Sequence, residues 1–97
     1  MKLKTIHLYQ LVGGFAEDKD KAKQMRQNTL WPRVKNGLKT KLDFAGVEDA
    51  TQSFIHALLS ELIRETHGEA LDLIYFKSCN PTVKKIINVV VDYMQEK

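Results

Sequence analysis

Two hydroxyl side chains, Thr51 and Ser53, flank Gln52 immediately before a strongly apolar segment of the sequence. A hydroxyl at the start of a helix lies near backbone N–H groups that have no partner within the helix, and it can accept hydrogen bonds from them. A phosphoryl group there would add about −1.5 to −2 charges where the helix dipole favours negative charge. The triplet therefore allows two interpretations: residues that only stabilise a helix start, or a site at which phosphorylation alters a docking surface.

The other residues capable of chemistry are scattered along the chain. His7, His56 and His67 lack the spacing of metal ligands, and Cys79 is the single cysteine. A cysteine just before a helix start is more often a partly buried loop residue than a nucleophile. The glycine-rich motifs that hold nucleotide phosphates are also absent from the sequence. We therefore expect a non-enzymatic protein that holds no metal ion and no cofactor.

The elements that would position the triplet alternate in type. Residues 3–12, 38–44 and 70–77 are rich in β-branched, aromatic or alternating apolar residues and predict strands. Helix-forming residues predict helices over residues 17–30, from residue 54 to a stop at Gly68, and from Asn80-Pro81 almost to Lys97. This order predicts an α/β fold, a small sandwich with a short, mainly parallel sheet and right-handed crossovers. The apolar residues 70–77 are expected to form an interior strand.

Local signals predict where two of the helices begin or end. Because Pro32 has no N–H and disfavours helical geometry at Trp31, the first helix is expected to end or kink there, with one further turn after the proline. The second helix has two candidate caps: Asp49 with Gln52 three residues later, or Thr51 with Ser53 in the first turn. The sequence does not decide between these caps.

A sheet of three strands leaves edges with unpaired backbone groups. The expected cover is an extra strand from the region of Gly13-Gly14, a loop, or a second copy of the chain in a homodimer.

Length and composition limit the class of protein. The chain has 97 residues, 43% of them hydrophobic, which suits one domain over residues 1–97. One cysteine and a start without a continuous apolar run favour a cytoplasmic protein over a secreted one. No apolar run approaches the roughly 20 residues that cross a bilayer, so we expect no membrane span.

Charge is distributed unevenly along the chain. Residues 1–42 contain ten Lys or Arg and three acids, whereas residues 43–97 contain five and nine. A basic half can bind phosphate backbones, so a nucleic-acid-associated accessory protein is the alternative function. The residues that would carry it are Lys19, Lys21, Lys23, Arg26, Arg33 and Lys35.

The central segment resembles the STAS-like domain family of unknown function, which is related to the anti-sigma-factor antagonists. The resemblance spans roughly residues 15–95 and is carried by Leu42-Asp43-Phe44, Gly46-Val47, Thr51, Ser53-Phe54, Asn80 and Val83-Lys84. In the antagonists, a serine at the corresponding helix start is phosphorylated by a partner kinase of the GHKL ATPase type. By position, Ser53 stands where that serine would be and Thr51 where an acid would be, although the Asp-Ser-Ser-Gly turn of the antagonists is absent.

The resemblance implies a regulatory protein-interaction module. Its partner would be another protein, plausibly a GHKL-type ATPase, docked on residues 46–53 and on the exposed face of the following helix. The expected phosphorylation sites are Ser53 and Thr51. The expected partner-binding residues are Gly46, Val47, Asp49, Thr51, Gln52, Ser53, His56, Ser60 and Arg64.

Overall fold

The computed structural model describes residues 3–95, which contain five strands and several helical segments, with a helical segment after every strand except β3. The predicted α/β class is confirmed. The strands are β1 (Lys4–His7), β2 (Phe15–Ala16), β3 (Thr40–Asp43), β4 (Asp49–Ala50) and β5 (Ile74–Lys77). The α-helices are α1 (Leu8–Val12), α2 (Lys19–Met25), α3 (Trp31–Lys35), α4 (Gln52–Glu65) and α5 (Pro81–Gln95).

The larger sheet has three parallel strands in the order β1-β3-β5. β3 is central, and its last residue, Asp43, lies between His7 of β1 and Lys77 of β5. The prediction that residues 70–77 form an interior strand is therefore wrong, because β5 lies at an edge and Tyr75 is 39% exposed. A run of apolar residues does not distinguish a strand with two covered faces from an edge strand with one.

β1 is shorter than predicted because it loses its partner. β3 ends at Asp43, and the chain then turns, with the Val47 N–H donating to the Phe44 carbonyl. Beyond His7 the backbone groups of β1 have no neighbouring strand to pair with, and residues 8–12 satisfy theirs locally as α1 instead. The predicted strand over residues 3–12 is wrong in its second half for this reason.

The same rule shortens β5. Thr40, the first residue of β3, pairs with Ile74, and its N–H donates to the Leu73 carbonyl at 2.8 Å, so residues before Leu73 have no strand beside them. Residues Glu69–Asp72 form a 3₁₀ turn, in which the Ala70 N–H donates to the Thr66 hydroxyl at 2.9 Å. Strand length here is set by the neighbouring strand and not by the apolar run.

The first helix passes through Pro32 without ending. Between α2 and α3, residues Arg26–Leu30 form a π-helical segment, and the Trp31 N–H donates to the carbonyl of Arg26, five residues back. This wider turn accommodates a proline ring, which would clash with a carbonyl in a regular α-helix. The helical path continues to Lys35, so the expected further turn after Pro32 is present, and the expected end near Trp31 is not.

The helices cover one face of the larger sheet. α4 packs against both α2 and α5, and it contributes seven of the buried residues. Ile6, Leu42 and Ile74, one from each strand, are buried beneath these helices, whereas residues of the opposite face are mostly exposed. Successive parallel strands laid side by side with right-handed crossovers place their helices on one face in this way.

A second, two-stranded sheet pairs β2 with β4 in parallel. An extra strand does follow Gly13-Gly14, as one of the predicted alternatives stated, but it pairs with β4 and covers neither edge of the larger sheet. Among residues 3–95, no helix is long and apolar enough to cross a membrane.

Candidate functional site at the start of α4

Thr51 caps α4. Its backbone is extended, with φ −84° and ψ 154°, and its hydroxyl accepts a hydrogen bond from the Phe54 N–H at 3.0 Å. The other candidate cap, Asp49, accepts instead from the N–H of Ala50 at 2.8 Å. The structure therefore decides the alternative that the sequence left open, and it assigns the Thr51 hydroxyl a stabilising contact within the chain.

Ser53 lies in the first turn of α4 and is exposed, as is Gln52 beside it. Within residues 3–95 the Ser53 hydroxyl has no hydrogen-bond partner, because the capping contact is already made by Thr51. The first turn carries no acidic residue. Since the N–H groups at the start of a helix favour negative charge, this position is electrostatically suited to an anionic group.

A groove of about 470 Å³ opens beside Ser53. It is lined by Lys19 of α2 and by Gln52, Ser53, His56 and Ala57 of α4. The two helices begin side by side because the strands before them, β2 and β4, are paired, and the Thr51 N–H donates to the Ala16 carbonyl at 2.9 Å. The groove thus brings a hydroxyl, a lysine and a histidine together, and its lining contains no carboxylate.

Two residues predicted to face a partner are buried. Val47 is 3% exposed and belongs to the core, and Ser60 is 5% exposed. Ser60 lies one helical turn after His56, but the chain after α2 crosses α4 at this level, with an Arg26 guanidinium nitrogen bonded to the Ala57 carbonyl at 2.7 Å. The prediction that His56, Ser60 and Arg64 form one polar face is therefore wrong.

The remaining predicted partner-binding residues keep access to solvent. His56 and Thr51 are half-buried, and the others, Gly46, Asp49, Gln52, Ser53 and Arg64, are exposed. Arg64 is separated from Ser53 by the crossing chain and by 11 residues of α4, or about 16 Å along the helix axis. The site that the structure brings together is thus the start of α4 with Lys19, and Arg64 is not part of it.

Gly46 is held in place by a residue that sequence analysis missed. Its φ of +90° falls in the left-handed region, and an added Cβ would lie 2.9 Å from a ring carbon of Tyr9. Tyr9 itself is exposed on α1, so the turn after β3 packs under its ring. No local pattern joins residues 9 and 46, because their contact depends on β1 and β3 being neighbours in the sheet.

The two arginines expected to bind nucleic acid are engaged within the fold. Arg26 is 9% exposed and also pairs with Glu61 at 3.0 Å. Arg33 donates to the Thr40 hydroxyl at 2.7 Å and to the Lys39 carbonyl at 2.8 Å. The prediction that Arg26 binds nucleic acid is therefore wrong, because its guanidinium group is buried in contacts that hold two helices together. Arg33 is half-buried and holds α3 to the start of β3, and its role in nucleic-acid binding stays a prediction. The predicted lysines are exposed, namely Lys19, Lys21, Lys23 and Lys35.

Charged residues also meet at the carboxyl ends of the three parallel strands. His7 Nδ1 lies 3.2 Å from Asp43 Oδ2, and Lys77 is the next residue across the sheet. The Ala45 N–H donates to Asp43 Oδ1 at 2.9 Å, and this hydrogen bond is the main cause that lowers the pKa of Asp43. Burial acts in the opposite direction and raises the pKa, whereas Lys77 and His7 lower it further. The carboxylate is therefore held ionised as part of the turn.

Cys79 follows this row of residues but is poorly suited to nucleophilic chemistry. Burial raises the pKa of its thiol, with Lys84 acting in the opposite direction. The thiolate, which is the reactive form, is thus a minor species near neutral pH. Within the described part of the chain, no group of three or more side chains has the arrangement of a metal site.

Comparison with known families agrees with this architecture. The sequence model of a STAS-like domain of unknown function (DUF4325) matches residues 21–84, about two thirds of the chain. The chain belongs to this family of STAS-like domains. The match extends from α2 to the first turn of α5 and includes the start of α4 with Ser53. No curated protein and no solved structure gives a significant match.

In this STAS-like domain, Lys19 is a neighbour of Ser53 that the sequence pattern does not assign to the site. It was considered only as part of a basic helix, 34 residues away from Ser53 along the chain. The pairing of β2 with β4 brings it to the groove, and strands of two residues leave too weak a pattern to be read from sequence.

Proposed function

We propose that this STAS-like domain is a non-enzymatic regulatory module that binds a protein partner at the start of α4. Phosphorylation of Ser53 by a GHKL-type ATPase acting as a kinase would switch that binding. Because the kinase uses ATP, both proteins would act in the cytoplasm. The observation that carries the proposal is an exposed Ser53 hydroxyl, with no hydrogen-bond partner among the described residues, beside Lys19 and His56 in an open groove.

The electrostatics of the groove support a switch at Ser53 in preference to Thr51. A phosphoserine would place about −1.5 to −2 charges next to the Lys19 ammonium and the N–H groups of the first turn. The Thr51 hydroxyl already accepts from the Phe54 N–H, so its modification would cost the helix its cap. A phosphate on Ser53 changes the surface while leaving the fold intact.

The experiment uses the whole chain with ATP and the GHKL-type ATPase encoded nearest to it, followed by peptide mass spectrometry. We expect phosphate on Ser53 in the unmodified chain and none in Ser53→Ala. Ser78→Ala is the matched control, because Ser78 is also an exposed serine but lies outside the groove. Phosphate on neither Ser53 nor Thr51 would remove the switch, and phosphate confined to Thr51 would overturn the assignment to Ser53.

A binding measurement tests the docking surface itself. Isothermal titration of the same ATPase with the chain is expected to give at least a tenfold change in Kd for Ser53→Asp, because a charge enters a desolvated interface. Lys19→Ala is expected to reduce that change. If Ser53→Asp and His56→Ala both leave the Kd unaltered, the start of α4 is not the docking surface. The homodimer stays a prediction, since a single chain does not test it.

A further inference from the structure

The face of the larger sheet that carries no helices has a defined composition. Odd-numbered residues of β1, β3 and β5 point to it, since neighbours along a strand point to opposite faces. We call this surface the open sheet face. Its strand residues are Thr5, His7, Lys41, Asp43, Tyr75 and Lys77, and Lys39, which directly precedes β3, adds its side chain over the Tyr75 ring. This face lies across the sheet from α4 and shares no residue with the groove beside Ser53.

Positive charge exceeds negative charge on the open sheet face, as far as the described residues 3–95 define it. It carries Lys39, Lys41 and Lys77 against one acid, Asp43, whose carboxylate is already bonded to His7 and to the Ala45 N–H. Within residues 3–95, none of the three lysines forms an ion pair. Three like charges on one short sheet repel each other, so an anionic ligand that contacts all of them would be stabilised.

An aromatic ring lies among these lysines. Tyr75 is 39% exposed and stands beside Lys41 in the register of the sheet. The Lys39 ammonium lies over its ring, 5.9 Å from the centroid, so a base that stacks on the ring would displace this ammonium towards a flanking phosphate. A ring on a flat sheet surrounded by cations can stack a base while the cations bind the flanking phosphates. Duplex DNA exposes no base face, and within residues 3–95 no helix projects from this side of the sheet to enter a groove.

We propose that the open sheet face binds single-stranded nucleic acid, with a base stacked on Tyr75 and phosphates bound by Lys39, Lys41 and Lys77. A protein partner is less favoured here, because the centres of protein interfaces are depleted of lysine, and Tyr75, on the edge strand β5, is the one large hydrophobic side chain of this face that is exposed. The inference does not rest on the function proposed for Ser53.

Binding of a fluorescein-labelled 12-nucleotide single strand, as dT and as rU, is measured by anisotropy on the whole chain. Three phosphate contacts predict that affinity falls roughly 20-fold between 50 and 200 mM salt, since each contact contributes about −0.7 to the logarithmic slope for single strands. Lys41→Gln is expected to reduce that slope by about 0.7. Tyr75→Ala is expected to weaken binding about 5-fold or more, whereas Tyr75→Phe keeps the stacking surface.

Matched controls lie on α5, on the other side of the molecule. Tyr93, which is 65% exposed, and the exposed Lys85 serve for this purpose, and we expect Tyr93→Ala and Lys85→Gln to leave affinity unchanged. Circular dichroism confirms that each variant is folded. Ser53→Asp should also leave oligonucleotide affinity unchanged, so that failure of this inference and failure of the Ser53 switch are distinguishable.

Four results would overturn the inference. The first is no anisotropy change at 50 mM salt, and the second is tighter binding of a duplex than of a single strand. The third is a loss of affinity when Lys19 and Lys23 are changed, with no loss when Lys41 is changed. The fourth is equally tight binding of polyglutamate, together with no effect of Tyr75→Ala on oligonucleotide affinity. The third would return the interaction to the lysines of α2, and the fourth would indicate an acidic protein as the ligand of this face.

Discussion

The chain leaves β3 and β5 at the same end of the sheet, but it does so by two unlike connections. After β5, residues 78–80 lead directly to α5, and both polar atoms of the Asn80 side chain are bonded: Oδ1 accepts from the Val83 N–H at 2.8 Å, and Nδ2 donates to the Glu48 carbonyl at 2.9 Å. After β3, residues 44–51 run through the Gly46 turn and β4 to α4, where Ser53 is exposed.

The difference between the two helix starts lies in which bonds of the fold hold each one, and it bears on the binding that we propose at the start of α4. The start of α5 is fixed twice, and one of its bonds also holds the middle of the longer connection. At the start of α4, the Thr51 hydroxyl makes the capping bond and the Thr51 N–H donates to the Ala16 carbonyl, and the next two side chains are left in solvent. A partner or a phosphate can therefore be accommodated at Ser53 without breaking a bond of the fold.

The largest effect is expected where the longer connection turns. Gly46→Ala places a Cβ 2.9 Å from the Tyr9 ring at a φ of +90°, so we expect a loss of about 2 kcal/mol or more in unfolding free energy. Urea denaturation measures it. Gly37→Ala is the control, because its φ of +69° is also positive and nothing lies within 4 Å of the added Cβ. Equal losses for the two variants would show that the Tyr9 contact contributes nothing.

A smaller effect compares the caps of the two helices. Thr51→Ala removes one capping bond and should cost about 1 kcal/mol. Asn80→Ala removes a capping bond and the bond to Glu48, so it should cost about 1 kcal/mol more, and Asn80→Asp should recover only the capping part. Thermal or urea unfolding ranks the three variants. If Thr51→Ala proves the more costly change, the start of α5 is not the more firmly fixed of the two.

The smallest effect concerns the carboxylate at the end of β3. The pKa of Asp43 is lowered chiefly by the Ala45 N–H, so its stabilising contribution is present above the ordinary carboxyl pKa and is lost as pH falls through the lowered value. The difference in unfolding free energy between the unmodified chain and Asp43→Asn should shrink as the solution is acidified below about pH 4.

The variant Ala45→Pro tests whether the Ala45 N–H is the cause of the lowered Asp43 pKa. It removes the donor at the second position of the turn, where proline is common, and should raise the Asp43 pKa towards its ordinary value. Titration of the Asp43 carboxyl signal by NMR measures both chains. A carboxyl that titrates at or above its ordinary value in the unmodified chain would contradict the account of this turn.

Features set by neighbouring residues were predictable. The apolar stripe of α4, its end before Gly68 and the start of α5 at Asn80-Pro81 depend on contacts within a few residues, and each is present. The family resemblance was confirmed through the same segment. At the candidate site, the exposure of Gln52 and Ser53 followed from their place at the start of α4, although the choice of Thr51 as the cap did not.

Features set by distant neighbours were not predictable in the same way. The side chains of residues 3–12 predict a strand, but the length of the strand that forms depends on how far β3 runs beside it. Ser60 sits on the polar stripe of α4 by spacing, and it is buried because another part of the chain crosses there. The sequence indicates a surface charge at Arg26, because its partners, the Ala57 carbonyl and the Glu61 carboxylate, are distant along the chain.

The amino-acid sequence by itself determined the class of fold, the alternation of strands and helices and the position of a hydroxyl pair at a helix start, because side-chain periodicity and capping act over a single turn or strand. Only the tertiary structure decided which of those side chains share a surface. The pairing of β2 with β4 brings Lys19 to Ser53, and the register of three parallel strands gathers Lys39, Lys41 and Lys77 around Tyr75. The physical reason is that backbone pairing between distant segments fixes these distances, and no pattern of nearby residues encodes them.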